Sequence, residues 1–479
     1  MTMIEQDGDE AVQQVFNVPL IIRGEVIEDY SVDYGGRQQG SQFRSANPVD
    51  YIDRIVMTRP SAMADLYSLS IDEIADYLVR LGERLEFSKN AYMQEAFELS
   101  KRTSGLSESI LRSIYEGMPG TFVKESLLNS IDHTVGIDYL DGWVSLREGV
   151  QVRAFGARTV HVIAGNAPMV GVATVVRNAL TRSDAIVKAP SNDPLTTTAV
   201  ARTMIDMDPD HPVTKHLSVA YWKGGDASFE AELYRPKNIE KIVAWGGFAS
   251  IKHISGYLQP GIDLITLDPK QSGTIIGEEA FADEQTMNSV AAKAALDVGG
   301  FNQEGCLNAR VIYIVSGTDE AGLERARRFG QALFDAIQAL PEEISTPHHS
   351  FDPDLKQEID GLRFVAEDYT VIGGKGSEGA VIVSHDSEQV DFARQLACRV
   401  ANLVPIDSVE TAIQSVNAYT QTIGIYPESL KTEIRDRLAY QGGQRLVSLG
   451  GAINPPGDGP QDGLEPLRRM CKWIVDDTQ

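Results

Sequence analysis

The sequence predicts an α/β protein: a doubly wound domain followed by a second α/β domain, with a cleft between them. Three observations point there. From Arg158 to Pro269, short apolar runs alternate with segments of helical period. Strands separated by helices of that length build parallel βαβ units. A second alternating block runs from about Asp268 to Val404, and the length of 479 residues suits two or three domains, at roughly 100–200 residues each.

Taken in order, VPLIIRGEVIED near the start alternates like a short strand with a turn. Ser61 to about Leu140 reads mostly helical. SLSIDEIADYLVRLGERLEF opens on Ser68 or Ser70 as the cap and keeps its apolar residues near a helical period. In the first alternating block the strands are RTVHVIA, AIVKAP, HLSVAYW and KIVAWGG, and GNAPMV is a turn. The helices are GVATVVRNALTRS, DPLTTTAVARTMI, ASFEAELY and FASIKHISGYL. In the second block TIIG, ARVIYIVS and AVIVS read as strands. NSVAAKAALDVGG, EAGLERARRFGQALFDAIQAL and VDFARQLACRVANL read as helices. The tail GGAINPPGDGPQDGLEP is a Gly/Pro-rich loop leading into RRMCKWIV. This divides the chain into an N-terminal segment plus cofactor domain over 1–267, a catalytic domain over 268–450, and a tail over 451–479. Clefts between such domains are default ligand sites.

Composition narrows the function. With 43 basic and 68 acidic residues, the net charge of −25 argues against a nucleic acid or an anionic membrane as partner. Three scattered cysteines make neither a disulfide framework nor a metal cluster, and fit a reducing compartment. The start, MTMIEQDGDE, is acidic and lacks an apolar signal core. No apolar run approaches the roughly 20 residues of a membrane helix. The expectation is a cytoplasmic protein. The eight histidines form no HExxH or other close metal pattern, so no metal is expected. There is no GxSxG elbow and no Walker loop.

The candidate chemistry rests on a few residues. Cys306, in FNQEGCLNARVIYIV, lies on a turn between the Gly299–Gly300 helix end and a strand, where its sulfur can face a cleft. A thiolate is a strong nucleophile near neutral pH. A free cysteine taken alone is usually a small buried hydrophobe, and that reading is kept for Cys398, inside a predicted helix, and for Cys471. Asn166 follows a strand and precedes a helix, so its amide can donate into a cleft at the carboxyl ends of the strands. With the Cys306 N–H it would complete an oxyanion site, although an asparagine between Gly165 and Ala167 also suits a plain turn. Lys188 ends the next strand, where a lysine can bind ribose hydroxyls or phosphate. Ser191 and Asn192 after it are neutral, which permits a 2′-phosphate. Gly246 and Gly247 allow a pyrophosphate to approach the next helix N-terminus. GGKGSEG places Gly374, Gly376 and Gly379 at GxGxxG spacing, but a strand follows where the dinucleotide fingerprint requires a helix. It is read as a loop.

Together these segments resemble the aldehyde dehydrogenase superfamily. FNQEGCLNARVIYI is similar to its asparagine-glutamine-x-x-cysteine segment, with Cys306 at the nucleophile. Asn166 matches its oxyanion asparagine, Lys188 its adenosine-ribose lysine, and Gly246 the glycine of its pyrophosphate turn. Within that superfamily the chain resembles the acyl-CoA reductase family typified by the fatty acid reductase of bacterial luminescence. VPLIIRGEV, HVIAGNAP and DGLEPLRRMCKWIV extend that resemblance over nearly the whole chain. It implies an aldehyde dehydrogenase-like fold, NADPH as reductant, an acyl-CoA or acyl-protein thioester as substrate, and an acyl-enzyme on Cys306. It also implies a homo-oligomer and, as in luminescence systems, an acyl-protein synthetase partner. The glutamate that activates water in hydrolytic relatives is missing. TLDPKQSG puts Asp268 near that position, with a role in positioning a proton donor or the nicotinamide, and has no glycine pair. A second glutamate, which holds the nicotinamide ribose in many relatives, has no clear counterpart around ANLVPIDSVE. The first loss suits a reductase better than a water-using aldehyde oxidant. The cysteine, asparagine and lysine together argue against a non-catalytic subunit.

Overall fold

The computed structural model describes residues 15–35, 42–455 and 457–477. The acidic start MTMIEQDGDE and Pro456 of the tail lie outside the described residues. Strands are numbered along the chain. A small sheet of β1 (Phe16–Asn17), β4 (Val32–Tyr34) and β5 (Phe43–Ser45) sits at the N-terminal end. Two seven-stranded sheets carry the fold.

The first large sheet holds β2 (Leu20–Ile22), β3 (Glu25–Ile27), β8 (Arg158–Val162), β9 (Asp184–Lys188), β10 (Leu217–Ala220), β11 (Lys241–Trp245) and β12 (Asp263–Leu267), ordered β12-β11-β8-β9-β10-β2-β3. β8 to β12 are parallel, and VPLIIRGEVIED, expected as a short strand with a turn, forms the hairpin β2–β3 that extends the edge antiparallel. All five residues of β8 are buried, as a strand covered on both faces requires. One face packs on helices Met169–Leu180 and Thr196–Met207 and on the N-terminal helices; the other packs on Ala227–Leu233 and Phe248–Ser255. Of the two serines considered, Ser70 is the cap. Its hydroxyl accepts from the Glu73 N–H while the Glu73 carboxylate accepts from the Ser70 N–H. Helix Ile71–Arg84 then buries Ile71, Ile74, Leu78 and Leu81 along one stripe.

The second sheet holds β13 (Gln271–Ile276), β14 (Ala309–Ile314), β15 (Tyr369–Gly373), β16 (Ala380–Ser384), β17 (Val400–Pro405), β18 (Thr420–Tyr426) and β19 (Arg445–Ser448), ordered β15-β16-β17-β14-β13-β18-β19. Only β15 runs antiparallel to its neighbour. Helices Glu284–Gly299 and Glu320–Gln338 cover one face; Val409–Ser415 and Glu428–Gln441 cover the other.

One predicted helix is corrected. VDFARQLACRVANL forms a short 3-10 turn, Ala393–Gln395, and then β17. Cys398 and Arg399 turn the chain at φ +56° and +68°, so Cys398 is not inside a helix, though it is buried. A short apolar run has no decisive period of its own. Here the slot between β14 and β16 decides, burying all six residues of β17. GGKGSEG is a loop, joining the β15–β16 hairpin, and the Glu378 carboxylate takes the N–H groups of Lys375 and Gly376.

The tail ties the two sheets together. Asp297 accepts from the N–H groups of Gly450 and Ala452, and Arg445 donates to the carbonyls of Gly451, Ala452 and Asn454. Helix Pro466–Met470 then reaches β12, where Arg469 bonds Asp263. The chain ends as β20 (Lys472–Asp477), antiparallel to β7 (Val150–Phe155), which also pairs β6 (Val144–Arg147).

Candidate active site

Cys306 lies on the loop entering β14, at the amino end of the second sheet. The approach is unusual backbone. Phe301, Asn302 and Gln303 are all left-handed, at φ +49°, +54° and +64°. Such residues cost of order 1–3 kcal/mol each and persist only where the surroundings over-determine them. Side chains do so here. The Asn302 amide exchanges hydrogen bonds with Thr346. The Gln303 amide donates to the carbonyls of Ala309 and Val400 and accepts from the Val400 N–H. Asn308 accepts from the Gly305 N–H and donates to the carbonyl of Gly300. The half-buried Arg310 guanidinium donates to the carbonyls of Asn308 and Leu396.

Cys306 itself is held at two atoms. Its carbonyl accepts from Ser272 Oγ at 2.6 Å. The register of β13 shifts at Ser272 against both neighbours. A bulge of this kind re-aims a side chain, and Ser272 Oγ also accepts from the Thr422 N–H. The sulfur accepts from Gln421 Nε2 at 3.3 Å, and the same amide nitrogen donates to Asp462 Oδ1. Burial pushes the Cys306 thiol up from its ordinary value, and the Asp462 carboxylate adds to that. The Gln421 N–H and the Arg310 charge pull it back. Burial also raises Asp462, against Gln421, Lys270 and Arg177. Cys306 is half-buried, whereas Cys398 and Cys471 are buried.

Asn166 reaches this loop from the first sheet. Its Nδ2 donates to the Glu304 carbonyl at 3.0 Å, two residues before the thiol. The turn that carries it is tightly built: a Cβ on Gly165 would fall 1.9 Å from Asn192 Oδ1, and Asn192 Nδ2 donates to the Gly165 carbonyl. Asn192 thus braces Asn166 in addition to being neutral. Glu304 Oε1 meets His348 Nε2 at 3.0 Å.

The remaining candidates lie at the carboxyl ends of the first sheet. Its strand order reverses between β8 and β11, and ligands bind at such switch points. Lys188 ends β9 with its ammonium over the rings of Tyr221 and Trp222. Ser191 follows it, half-buried. Gly246 and Gly247 lead into helix Phe248–Ser255, whose first turn has no side-chain cap. A Cβ on Gly247 would meet nothing within 4 Å, and one on Gly246 only Ser250 at ordinary contact distance. That open cradle at exposed helix N–H groups fits a pyrophosphate. Asp268 stands half-buried just past β12, 3.8 Å from Lys270.

Sequence reasoning missed Ser272, Gln421 and Asp462. Ser272 lies in TLDPKQSG and Asp462 opens DGLEPLRRMCKWIV, but neither segment singles out these side chains, and Gln421 is 115 residues from the cysteine it touches. Among the described residues no helix is long and apolar enough to cross a membrane, and no group of three or more His, Cys, Asp or Glu could hold a metal ion.

Solved structures share this fold. The NADP-dependent glyceraldehyde-3-phosphate dehydrogenase of Bacillus halodurans superposes with a TM-score of 0.73 at 14% identity, covering 96% of this chain and 98% of that one. An aldehyde dehydrogenase of Mycobacterium tuberculosis gives 0.71 at 17% identity, covering 97% and 99%. The fold is that of the aldehyde dehydrogenases. Among curated proteins, the long-chain acyl-protein thioester reductase of Vibrio harveyi is 26% identical over 96% of this chain and 92% of its own length. That of Photorhabdus laumondii is 28% identical over 85% and 82%. The family model described as acyl-CoA reductase (LuxC) matches residues 66–473, and the chain belongs to that family of oxidoreductases.

Proposed function

We propose that the protein reduces a long-chain acyl thioester to its aldehyde with NADPH, through an acyl-enzyme on Cys306. The observation that carries this reading is the convergence of a half-buried thiol on a braced loop with an amide from the other sheet. The Cys306 thiolate attacks the thioester carbonyl carbon, and the donor thiolate leaves and takes up a proton. An Asn166 N–H and the Cys306 N–H stabilise the oxyanion. NADPH supplies the hydride that reduces the acyl-cysteine carbonyl. The thiohemiacetal alkoxide then reforms a carbonyl, the C–S bond breaks, and aldehyde departs from a regenerated thiolate.

The dehydrogenase fold and reductase family call for a nicotinamide cofactor. We assign its pyrophosphate to Gly246 and Gly247 and its adenosine ribose to Lys188 and Ser191. The neutral Ser191 and Asn192 favour NADPH, since an acidic residue there would repel a 2′-phosphate. Asp268 is assigned to positioning the nicotinamide or a proton donor. Residues 1–267 form the N-terminal segment and cofactor domain, 268–450 the catalytic domain, and 451–479 the tail. The relatives are named for acyl-protein thioesters, so a partner acyl-protein synthetase is the proposed donor beside acyl-CoA. A homo-oligomer in the cytoplasm, where a thiol stays reduced, completes the proposal.

The test is acyl transfer. Incubation with radiolabelled long-chain acyl-CoA labels the wild type on Cys306, and Cys306→Ser abolishes the label. Full labelling of that variant rejects the assignment.

A further inference from the structure

The side chains of Gln421 and Asp462 stand beside Cys306, and the sequence motifs assign a role to neither. Gln421 is on the interior strand β18, 2% exposed. Its Nε2 faces both the Cys306 sulfur and Asp462 Oδ1, while its Oε1 is buried with no hydrogen-bond partner among the described residues. An amide can also turn over. With Oε1 toward Asp462, two acceptors would face each other and the sulfur would lose its donor. The orientation present is the one a carboxylate at position 462 selects.

We propose that Asp462 is a positioning residue for the acyl-transfer step, locking the Gln421 amide with its N–H on the Cys306 sulfur so that the thiolate is stabilised when it forms. This rests on Cys306 being the acyl-bearing nucleophile. Asp462 is itself held from several sides. Its neighbour Gln461 accepts from Arg177 of helix Met169–Leu180 at 2.7 Å. The charges of Lys270, Asp268 and Arg177 act on its carboxylate, and Arg310 acts on the thiol from the other side. The tail loop that carries Asp462 is thereby part of the thiol's surroundings.

The proposal sets two effects of Asp462 against each other, and they differ in sign. As a bare negative charge near sulfur it disfavours the thiolate, so its removal alone would make Cys306 more acidic. As the lock on Gln421 it favours the thiolate, so its removal would make Cys306 less acidic. The experiment is the pH profile of iodoacetamide alkylation at Cys306, read by peptide mass spectrometry without substrate. It is run on wild type, Asp462→Leu, Gln421→Met and the double variant, leucine removing both the charge and the acceptor oxygen that an asparagine would keep. Asp462→Leu is expected to move the midpoint up by about one unit, a roughly tenfold slower alkylation near neutral pH. Gln421→Met moves it up as well. In the Gln421→Met background, Asp462→Leu moves it down, because only the charge remains to be lost. A zero or downward shift for Asp462→Leu in the wild-type background overturns the proposal. If Gln421→Met fails to fold, that single comparison still decides. The acyl label on wild type is measured in parallel. Its absence defeats the acyl-enzyme reading, whereas its presence with a downward Asp462→Leu shift defeats only the lock.

Discussion

Replacing Asn166 by alanine separates its chemical role from its structural one. The amide carries two N–H donors, and the structure spends one on the Glu304 carbonyl at 3.0 Å. Losing that half-buried bond costs about 1 kcal/mol of stability, a fall in Tm of about 1–3 °C for a chain this long. Losing an oxyanion donor costs about 10²–10³ in rate, equivalent to roughly 2.7–4 kcal/mol of transition-state stabilisation. The two effects are therefore unequal, and they are read separately. Scanning calorimetry gives the first. Rapid-quench measurement of acyl-enzyme formation from labelled acyl-CoA, with NADPH omitted, gives the second. The expected result is acylation slowed by about two to three orders of magnitude in a protein that melts within a few degrees of wild type. Acylation within about threefold of wild type would refute the oxyanion role, because no donor of that kind is so cheaply lost. A large fall in Tm with a proportionate loss of activity would reduce Asn166 to a clamp on the nucleophile loop.

Two further outcomes follow from the geometry. Lys188→Ala is expected to raise KM for NADPH about tenfold or more with little change in kcat, the loss of charge-assisted hydrogen bonds to a bound cofactor. Steady-state kinetics with NADPH varied checks this, and an unchanged KM removes Lys188 from the cofactor site. Asp297, buried under the tail loop, has its carboxyl pushed up to about 6 by burial, against the N–H groups of Gly450 and Ala452 that favour the anion. Its folded value lies above the ordinary 3.8, so the folded state holds the proton more tightly. Its contribution to stability is complete below pH about 4 and is lost as pH rises through about 6. Melting curves across that window should show a weaker downward trend with pH for Asp297→Asn than for wild type. Asp193, also raised to about 6 by burial, accounts for part of the slope that remains.

Much of this organisation is legible in the primary structure because it is local. A strand such as RTVHV, buried on both faces, and an amphipathic helix such as Ile71–Arg84 each announce their period within a dozen residues. The same holds for the turn carrying Asn166, the turn carrying Cys306 and the glycines before helix Phe248–Ser255. What these turns share is position at the end of a predicted strand or helix, where a side chain can face a cleft. The misread segment shows the limit. VANLVP is apolar and short, so nothing within it distinguishes helix from strand. Only the presence of β14 on one side and β16 on the other makes it β17.

The residues by themselves thus determined the layer architecture and the family resemblance and pointed to the Cys306 sulfur as the proposed reactive atom, since each follows from periodicity or from a contiguous motif. Tertiary structure alone decided what surrounds that atom. Ser272, Gln421 and Asp462 meet Cys306 from two strands and a tail loop far apart in the chain. Their meeting depends on strand order and on the register shift at Ser272, quantities of the assembled sheet that no segment encodes alone. The acidity of the thiol is decided in the same way, because burial and neighbouring charge exist only once the chain has folded.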